Sequence, residues 1–276
     1  MLKSVLLTLG VLFSLTSHAI SIDYALKMPK PQNHYFEVEM KVSKVSGKFL
    51  ELKMPVWSPG SYMVREFSKN VNLVKAFDEL GNKLEVVKTA KNAWRVHIKG
   101  VHDVKIKYEV YSFELSVRTS FLDQSHGFVN GSSVFMYVEG EKETGGKLDI
   151  YPFEDFNVIT TALPRPKDSI RYENAKTYAF ANFDHLVDCP IEIGNQEVFE
   201  FMAAGVRHTV AMYGVGNYEL EKLKKDMKRV VETATSVIGE NPNKNYTFII
   251  HNVTDGQGGL EHMNSSTLSV SRWGYQ

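Results

Sequence analysis

Tyr35-Phe36-Glu37-Val38-Glu39-Met40-Lys41-Val42 alternates apolar and charged side chains from Phe36 onward. Successive side chains of an extended chain point to opposite faces, so Phe36, Val38, Met40 and Val42 share an apolar face and the charges share a wet one. The same period returns in Val104-Lys105-Ile106-Lys107-Tyr108-Glu109-Val110 and in Trp94-Arg95-Val96-His97-Ile98. No helical period competes between Ser21 and about Tyr137. Strands that are dry on one face and wet on the other suit antiparallel sheets packed as a sandwich. Asp78-Glu79-Leu80-Gly81-Asn82 supplies a turn between two of them. The expectation is a β-rich, sandwich-like domain over residues 20–172.

Beyond it the pattern changes. Glu139 to Lys147 is charged and glycine-containing, which predicts an exposed loop, and Pro152, Pro164 and Pro166 punctuate an irregular approach to a boundary. Glu197 to Val210 reads as a strand pair. Leu220, Leu223, Met227, Val230, Ala234 and Val237 then recur at helical steps, with Glu221, Lys222, Lys224, Lys225 and Lys228 opposite them. Gly239 is placed to close that helix and Pro242 to prevent its continuation. Tyr246-Thr247-Phe248-Ile249-Ile250 follows as a strand. Residues 173–276 therefore read as the opening α/β part of a second domain, and the end at Gln276 suggests a longer polypeptide cut short.

Lys3, the apolar run Val5 to Leu15 and the small residues of Ser17-His18-Ala19 match a cleaved signal peptide over residues 1–19. The mature chain is expected to start near Ile20, in a bacterial-type periplasm or exterior. No later run is apolar enough to predict a stable membrane span. Thirty-two basic residues balance thirty-two acidic ones, so charge gives no steering toward nucleic acid or an anionic membrane. Cys189 is the sole cysteine, which excludes an intrachain disulfide.

The densest chemistry lies in His251-Asn-Val-Thr-Asp255-Gly-Gln-Gly-Gly259-Leu-Glu261-His262. Its glycines allow a sharp turn or a close approach to a ligand, and Glu261 offers a carboxylate for an ammonium or a proton relay. A solvent-facing glycine turn explains the same residues. His251, Asp255, Glu261 and His262 are acceptable metal ligands, but their spacing matches no common zinc pattern, so no metal is assigned to them. The second cluster runs from Trp57 through Ser58-Pro59-Gly60, Tyr62 and Arg65 to Phe67. It predicts a turn that either meets a substrate or acts as an internal latch, with Arg65 paired to a carboxylate. Ser58 and Ser61 lack a G-x-S-x-G context, which argues against a serine hydrolase. His126, His185 and His208 are isolated in sequence, and Cys189 before Pro190 is expected to pack rather than react.

Several of these stretches occur together in one order. They are Met54-Pro-Val-Trp-Ser-Pro-Gly-Ser-Tyr62 with Arg65, Tyr111 through Asp123, Gly127-Phe-Val-Asn-Gly131 and Phe135-Met-Tyr137. Phe183-Asp-His-Leu-Val-Asp188 with Pro190, Glu192-Ile-Gly194, and Gly258-Gly-Leu-Glu-His262 with Asn264, Ser266 and Thr267 follow. In combination they resemble the PDZ-containing glycyl aminopeptidase family of zinc metallopeptidases. The resemblance implies a β-rich domain followed by a thermolysin-like catalytic domain, a helical region and a PDZ module. It implies removal of amino-terminal glycine or other small residues from peptides, by water activated on zinc and a His-Glu-x-x-His helix. By the same resemblance Glu261 matches the residue that pairs with the substrate's free α-amino group. Gly258 and Gly259 match backbone that binds the peptide, and His262, Tyr62 and Arg65 belong to the cleft or its support.

The departure is that no His-Glu-x-x-His occurs in these 276 residues. Zinc is therefore expected in the full-length protein, none bound to this segment, and no peptide cleavage from it alone. The expected partners are a peptide with a free amino terminus and the remainder of the catalytic domain. The alternative is a secreted, non-enzymatic β-domain protein that binds peptide or cell-wall ligands.

Overall fold

The computed structural model describes residues 20–166 and 175–275. The expected signal peptide, residues 1–19, and the expected boundary between residues 172 and 173 lie outside the described residues.

The chain forms β1 (Ser21–Lys27), β2 (Tyr35–Ser43), β3 (Phe49–Lys53), β4 (Val71–Phe77) and β5 (Lys83–Leu84). Next come β6 (Val86–Ala90), β7 (Ala93–His97), β8 (Asp103–Tyr111), β9 (Phe121–Leu122) and β10 (Gly127–Val129). β11 (Tyr137–Val138), β12 (Gly146–Tyr151), β13 (Val158–Thr161), β14 (Lys176–Phe180), α1 (Phe183–Val187) and β15 (Ile191–Gly194) complete a first region. A second holds β16 (Glu197–Ala203), β17 (Val206–Tyr213), α2 (Leu220–Ile238), β18 (Asn245–Val253), β19 (Gly258–Glu261) and β20 (Ser265–Ser271).

Three sheets build the first region, in the orders β14-β12-β1-β2-β8-β4-β5, β11-β3-β7-β6 and β13-β15-β10-β9. The alternating stretches become central strands: β2 pairs with β8 in antiparallel register, Phe36 opposite Val110 and Met40 opposite Ile106. Their apolar faces enter one sandwich-like core with Leu52, Trp94 and Val96 from the second sheet. Each large side chain removed from water there contributes about 1.5–3 kcal/mol. The irregular segment Val134–Met136 crosses this core, and buried tyrosines satisfy its backbone. Tyr24 Oη donates to Met136 O at 2.6 Å. Tyr108 Oη donates to Val134 O and accepts from Met136 N, both at 3.0 Å.

The sheets of the first region continue past residue 172. β14 pairs with β12, and β15 pairs with β10 and β13, so both strands still belong to the first region's sheets. The sheet changes only between Gly194 and Glu197. Proline punctuation marks where the path bends, whereas membership of a sheet is set by pairing partners far away in sequence.

The second region is one mixed sheet, β16-β17-β18-β20-β19. β17 and β18 are parallel, and a parallel pair needs a crossover connection, which α2 supplies. Gly239, at φ 102°, ends the helix in the left-handed conformation, as its position predicts. The apolar helix face is only partly used. Leu220, Leu223 and Met227 pack on the cluster of Phe199, Val210, Met212 and Ile250. Val230, Val237 and Ile238 are 65%, 78% and 76% exposed. Among the described residues no helix is long and apolar enough to cross a membrane.

Candidate functional site

Among the described residues β19 is the edge strand of the second sheet, hydrogen-bonded to β20 alone. Its outer backbone edge is therefore free to pair with an extended peptide. Leu260, opposite Thr267, is buried against the first region. Gly258 lies beside Val117, and Gly259 lies beside Leu268 and is exposed. At the end of the strand Glu261 is exposed, and its carboxylate makes no hydrogen bond or ion pair with any described residue.

Two pieces of the first region flank that carboxylate. The first is the turn Ser58-Pro59-Gly60. Gly60 has φ 76°, and a Cβ there would lie 2.6 Å from Leu260 Cδ1 and 3.6 Å from Glu261 Oε1, so only glycine allows this approach. Trp57 Nε1 donates to Ser61 O at 2.7 Å, and Arg65 N donates to Val56 O at 2.6 Å, which closes the turn as an internal latch. Arg65 does not pair with a carboxylate: its Nε reaches Ser61 Oγ at 3.4 Å, and the neighbouring Glu66 is taken by Lys91 at 2.8 Å. Tyr62 is 96% exposed and touches none of this.

The second piece is Asp188, directly after α1. Its Oδ1 accepts from His262 Nδ1 and its Oδ2 from the Met263 amide, both at 2.9 Å. His262 is therefore support for the turn after Glu261, sequestered from solvent. Between the Trp57 turn and α1 runs a groove of about 800 Å³, lined by Trp57, Pro59, Phe183, Val187, Asp188 and Met263 among others. It opens at Met263, two residues after Glu261.

The remaining sequence candidates separate. Asp255 stands exposed in the loop before β19. His251 is fully buried on β18, and its Nε2 donates to Glu192 Oε2 at 2.8 Å. His126 is not isolated either: its Nδ1 donates to Glu192 Oε1 at 2.7 Å. Ile191 and Ile193 enter the first core, so alternation turns Glu192 to the other face of β15, toward the second sheet. Burial pushes the Glu192 carboxyl up, but the charges and hydrogen bonds of His126 and His251 outweigh it and hold it below the ordinary value of 4.5. Tyr213 stacks on His126 at 3.4 Å between centroids, and Phe128 meets His251 edge-on at 4.7 Å.

His126, Glu192 and His251 are the only group of metal-ligand type within reach of one another among the described residues. They do not fit the expected peptidase zinc. Their facing atoms already close two hydrogen bonds, and His126 Nε2 and His251 Nδ1 have no partner. A metal-bound histidine would donate its other ring N–H to an acceptor. The cluster instead ties the two regions together. The sequence assigns no role to Glu192 or Asp188, although an acid flanked by Ile191 and Ile193 is a signal for a buried, partnered charge. Cys189 is buried, and burial with Asp188 beside it pushes its thiol up to about 12. His208 stacks on Phe201, and His185 Nδ1 accepts from the Ala181 amide.

The peptidase M61 N-terminal domain family matches residues 23–195. The structure is similar to that of an aminopeptidase N family protein from Idiomarina loihiensis, with a TM-score of 0.84 and 32% identity. That match covers 92% of this chain and 44% of the other, so this chain spans under half the length of that relative. A mutant M1 zinc metallopeptidase from Deinococcus radiodurans matches with a TM-score of 0.52 and 11% identity, over 91% of this chain and 61% of that one. The same mutant bound to a Tyr-Ser-Ala substrate gives 0.52 at 12%, over 91% and 60%. At these identities the Deinococcus likeness is one of fold. No curated protein matches this chain. Residues 23–195 place the chain in the peptidase M61 family, of which they form the amino-terminal domain.

Proposed function

We propose that this chain is the amino-terminal portion of an exported zinc aminopeptidase, and that it supplies the substrate-binding rim of that enzyme. The supporting observation is Glu261, an exposed carboxylate without a partner at the end of an open edge strand. Such a group matches a peptide's α-ammonium and leaves an internal peptide bond unmatched. The free edge of β19 at Gly258 and Gly259 accepts the peptide backbone in extended form.

Under this reading the second region opens a thermolysin-like catalytic domain. The His-Glu-x-x-His helix and its zinc follow in sequence, and zinc supplies the activated water when bound. The 276 residues by themselves neither hold that zinc nor cleave peptides. Residues 1–19 direct export to the periplasm or exterior, and amino-terminal glycine or other small residues are removed. A PDZ module completes the parent. Membership of the peptidase family favours this reading over a non-enzymatic binding protein.

The test begins by reading the gene across the codon for Gln276, where continuation into His-Glu-x-x-His is expected. The complete polypeptide, loaded with zinc, should then release alanine and glycine from peptides with free amino ends and leave N-acetylated peptides intact. Glu261→Gln should lower kcat/KM on the free-amino peptides by roughly a hundredfold, in line with loss of a charge-assisted contact. A stop codon after Gln276, or a Glu261→Gln enzyme that keeps its full preference, sinks the proposal.

A further inference from the structure

Glu261 has to be held in place by something other than its own contacts. β19 is four residues long, pairs on one side only, and follows a loop in which Thr254, Asp255 and Gln257 are exposed. A strand this short at a sheet edge is among the parts of a structure that open most readily. A carboxylate that selects an ammonium nevertheless needs a fixed position, because misplacement of about 1 Å costs on the order of a hundredfold.

The constraint comes from the residues after Glu261. His262 N donates to Ser265 O at 2.9 Å, closing the turn into β20. Asp188 then grips the outside of the turn with both oxygens, one on His262 Nδ1 and one on the Met263 amide, each at 2.9 Å. Gripping two consecutive residues fixes both the height of the turn and its rotation about the strand axis. Asp188 is itself immobilised: its own amide donates to Asp184 O at 2.9 Å, and Cys189, Pro190 and the fully buried β15 follow at once. From the opposite side Gly60 abuts Leu260 and Glu261. Glu261 thus belongs to the second region but is placed by two elements of the first.

We infer that Asp188 is the positioning residue of the site: through His262 and Met263 it sets where the Glu261 carboxylate stands, an inference that rests on the aminopeptidase reading above. Asp188 need not touch substrate. Its carboxylate requires a proton on His262 Nδ1, and His262 Nε2 is buried without a partner among the described residues. Asparagine at the same place could keep the Met263 amide on its oxygen and offer its NH₂ to the other His262 tautomer, so it should preserve part of the grip.

The decisive experiment compares Asp188→Ala and Asp188→Asn with wild type in the complete, zinc-loaded polypeptide, on alanyl and glycyl peptides with free amino ends. Asp188→Ala should raise KM by about ten- to a hundredfold with kcat changed less than about threefold, and Asp188→Asn should recover part of the loss. A role confined to folding would instead lower kcat in proportion to the active fraction with KM unchanged, and that result overturns the inference. If wild type itself fails to cleave, the peptidase reading falls, and amide hydrogen exchange in this 276-residue chain decides on positioning alone. Asp188→Ala should then speed exchange at Leu260 and Glu261 at least tenfold, with β2 and β8 unaltered. Unchanged exchange at Leu260 and Glu261 overturns the inference, and Asp188→Asn gives the same reading if the alanine variant does not fold.

Discussion

In β2 and β8 every second residue is buried in a core shared by three sheets, whereas along α2 no residue is buried and its carboxyl-terminal half leaves Val230, Val237 and Ile238 in water. The first region is held by its own apolar interior. The second has a small cluster of its own, and much of its order comes from contacts with the first: Glu192 with His251, Tyr213 on His126, Asp188 with His262, and Gly60 against Leu260. The candidate carboxylate Glu261 thus stands on the region with the smaller core, against elements of the region with the larger one.

The largest expected effect comes from breaking the link between them. Glu192→Ala strands two buried histidines beside a void, and loss of one member of a buried charged cluster costs about 3–5 kcal/mol. Calorimetry should show the second region melting ahead of the first in this variant. A single unshifted transition would mean that Glu192 does not hold the second region to the first.

Leu52→Ala, inside the first core, should cost about 2–5 kcal/mol in chemical denaturation and lower the stability of both regions, since the second rests on the first. A loss confined to the second region would mean that the first does not depend on this core position.

The same link predicts an acid limit. Because the folded Glu192 carboxyl sits below its ordinary value of 4.5, its contribution is complete above that pH. The contribution is lost as pH falls through the lower folded value. Amide exchange in β18 should therefore accelerate below pH 4.5 before exchange in β2 does, and Glu192→Gln should remove that step.

Smaller effects sharpen the contrast along α2. Gly239→Ala meets no neighbour but forces a left-handed φ of 102° on a residue with a Cβ, so about 1 kcal/mol is expected from thermal melting. Val230→Ala and Val237→Ala should stay within about 0.5 kcal/mol, because both side chains are exposed already. A clear loss from either would show that this face is covered in solution.

Much of the fold was legible because alternation is a local property. Phe36 to Val42 and Val104 to Val110 could bury their apolar sides only as strands, and Leu220 to Val237 had the period of a helix closed by Gly239. Glu261 with Gly258 and Gly259 was singled out through the resemblance of its ordered motifs, and the structure sets these residues on and at the end of the edge strand β19. The depth of α2 was not legible, because an amphipathic face says which side is apolar and leaves open how much of it another element covers. Nor was the partner of Arg65 legible: the latch reading expected a carboxylate, and the structure gives it Ser61, while the adjacent Glu66 is taken by Lys91.

Residue type and short-range period suffice for the strand-rich first region, the long helix α2, the balance of charge and the candidate carboxylate. Long-range packing assigns β14 and β15 to the first region, joins His126 to His251 through Glu192, and sets Asp188 against the turn after Glu261. The Glu192 and Asp188 contacts to the second region span 59 and 74 residues. No local pattern encodes which partner a side chain meets across such a distance, since that is fixed by how whole sheets pack.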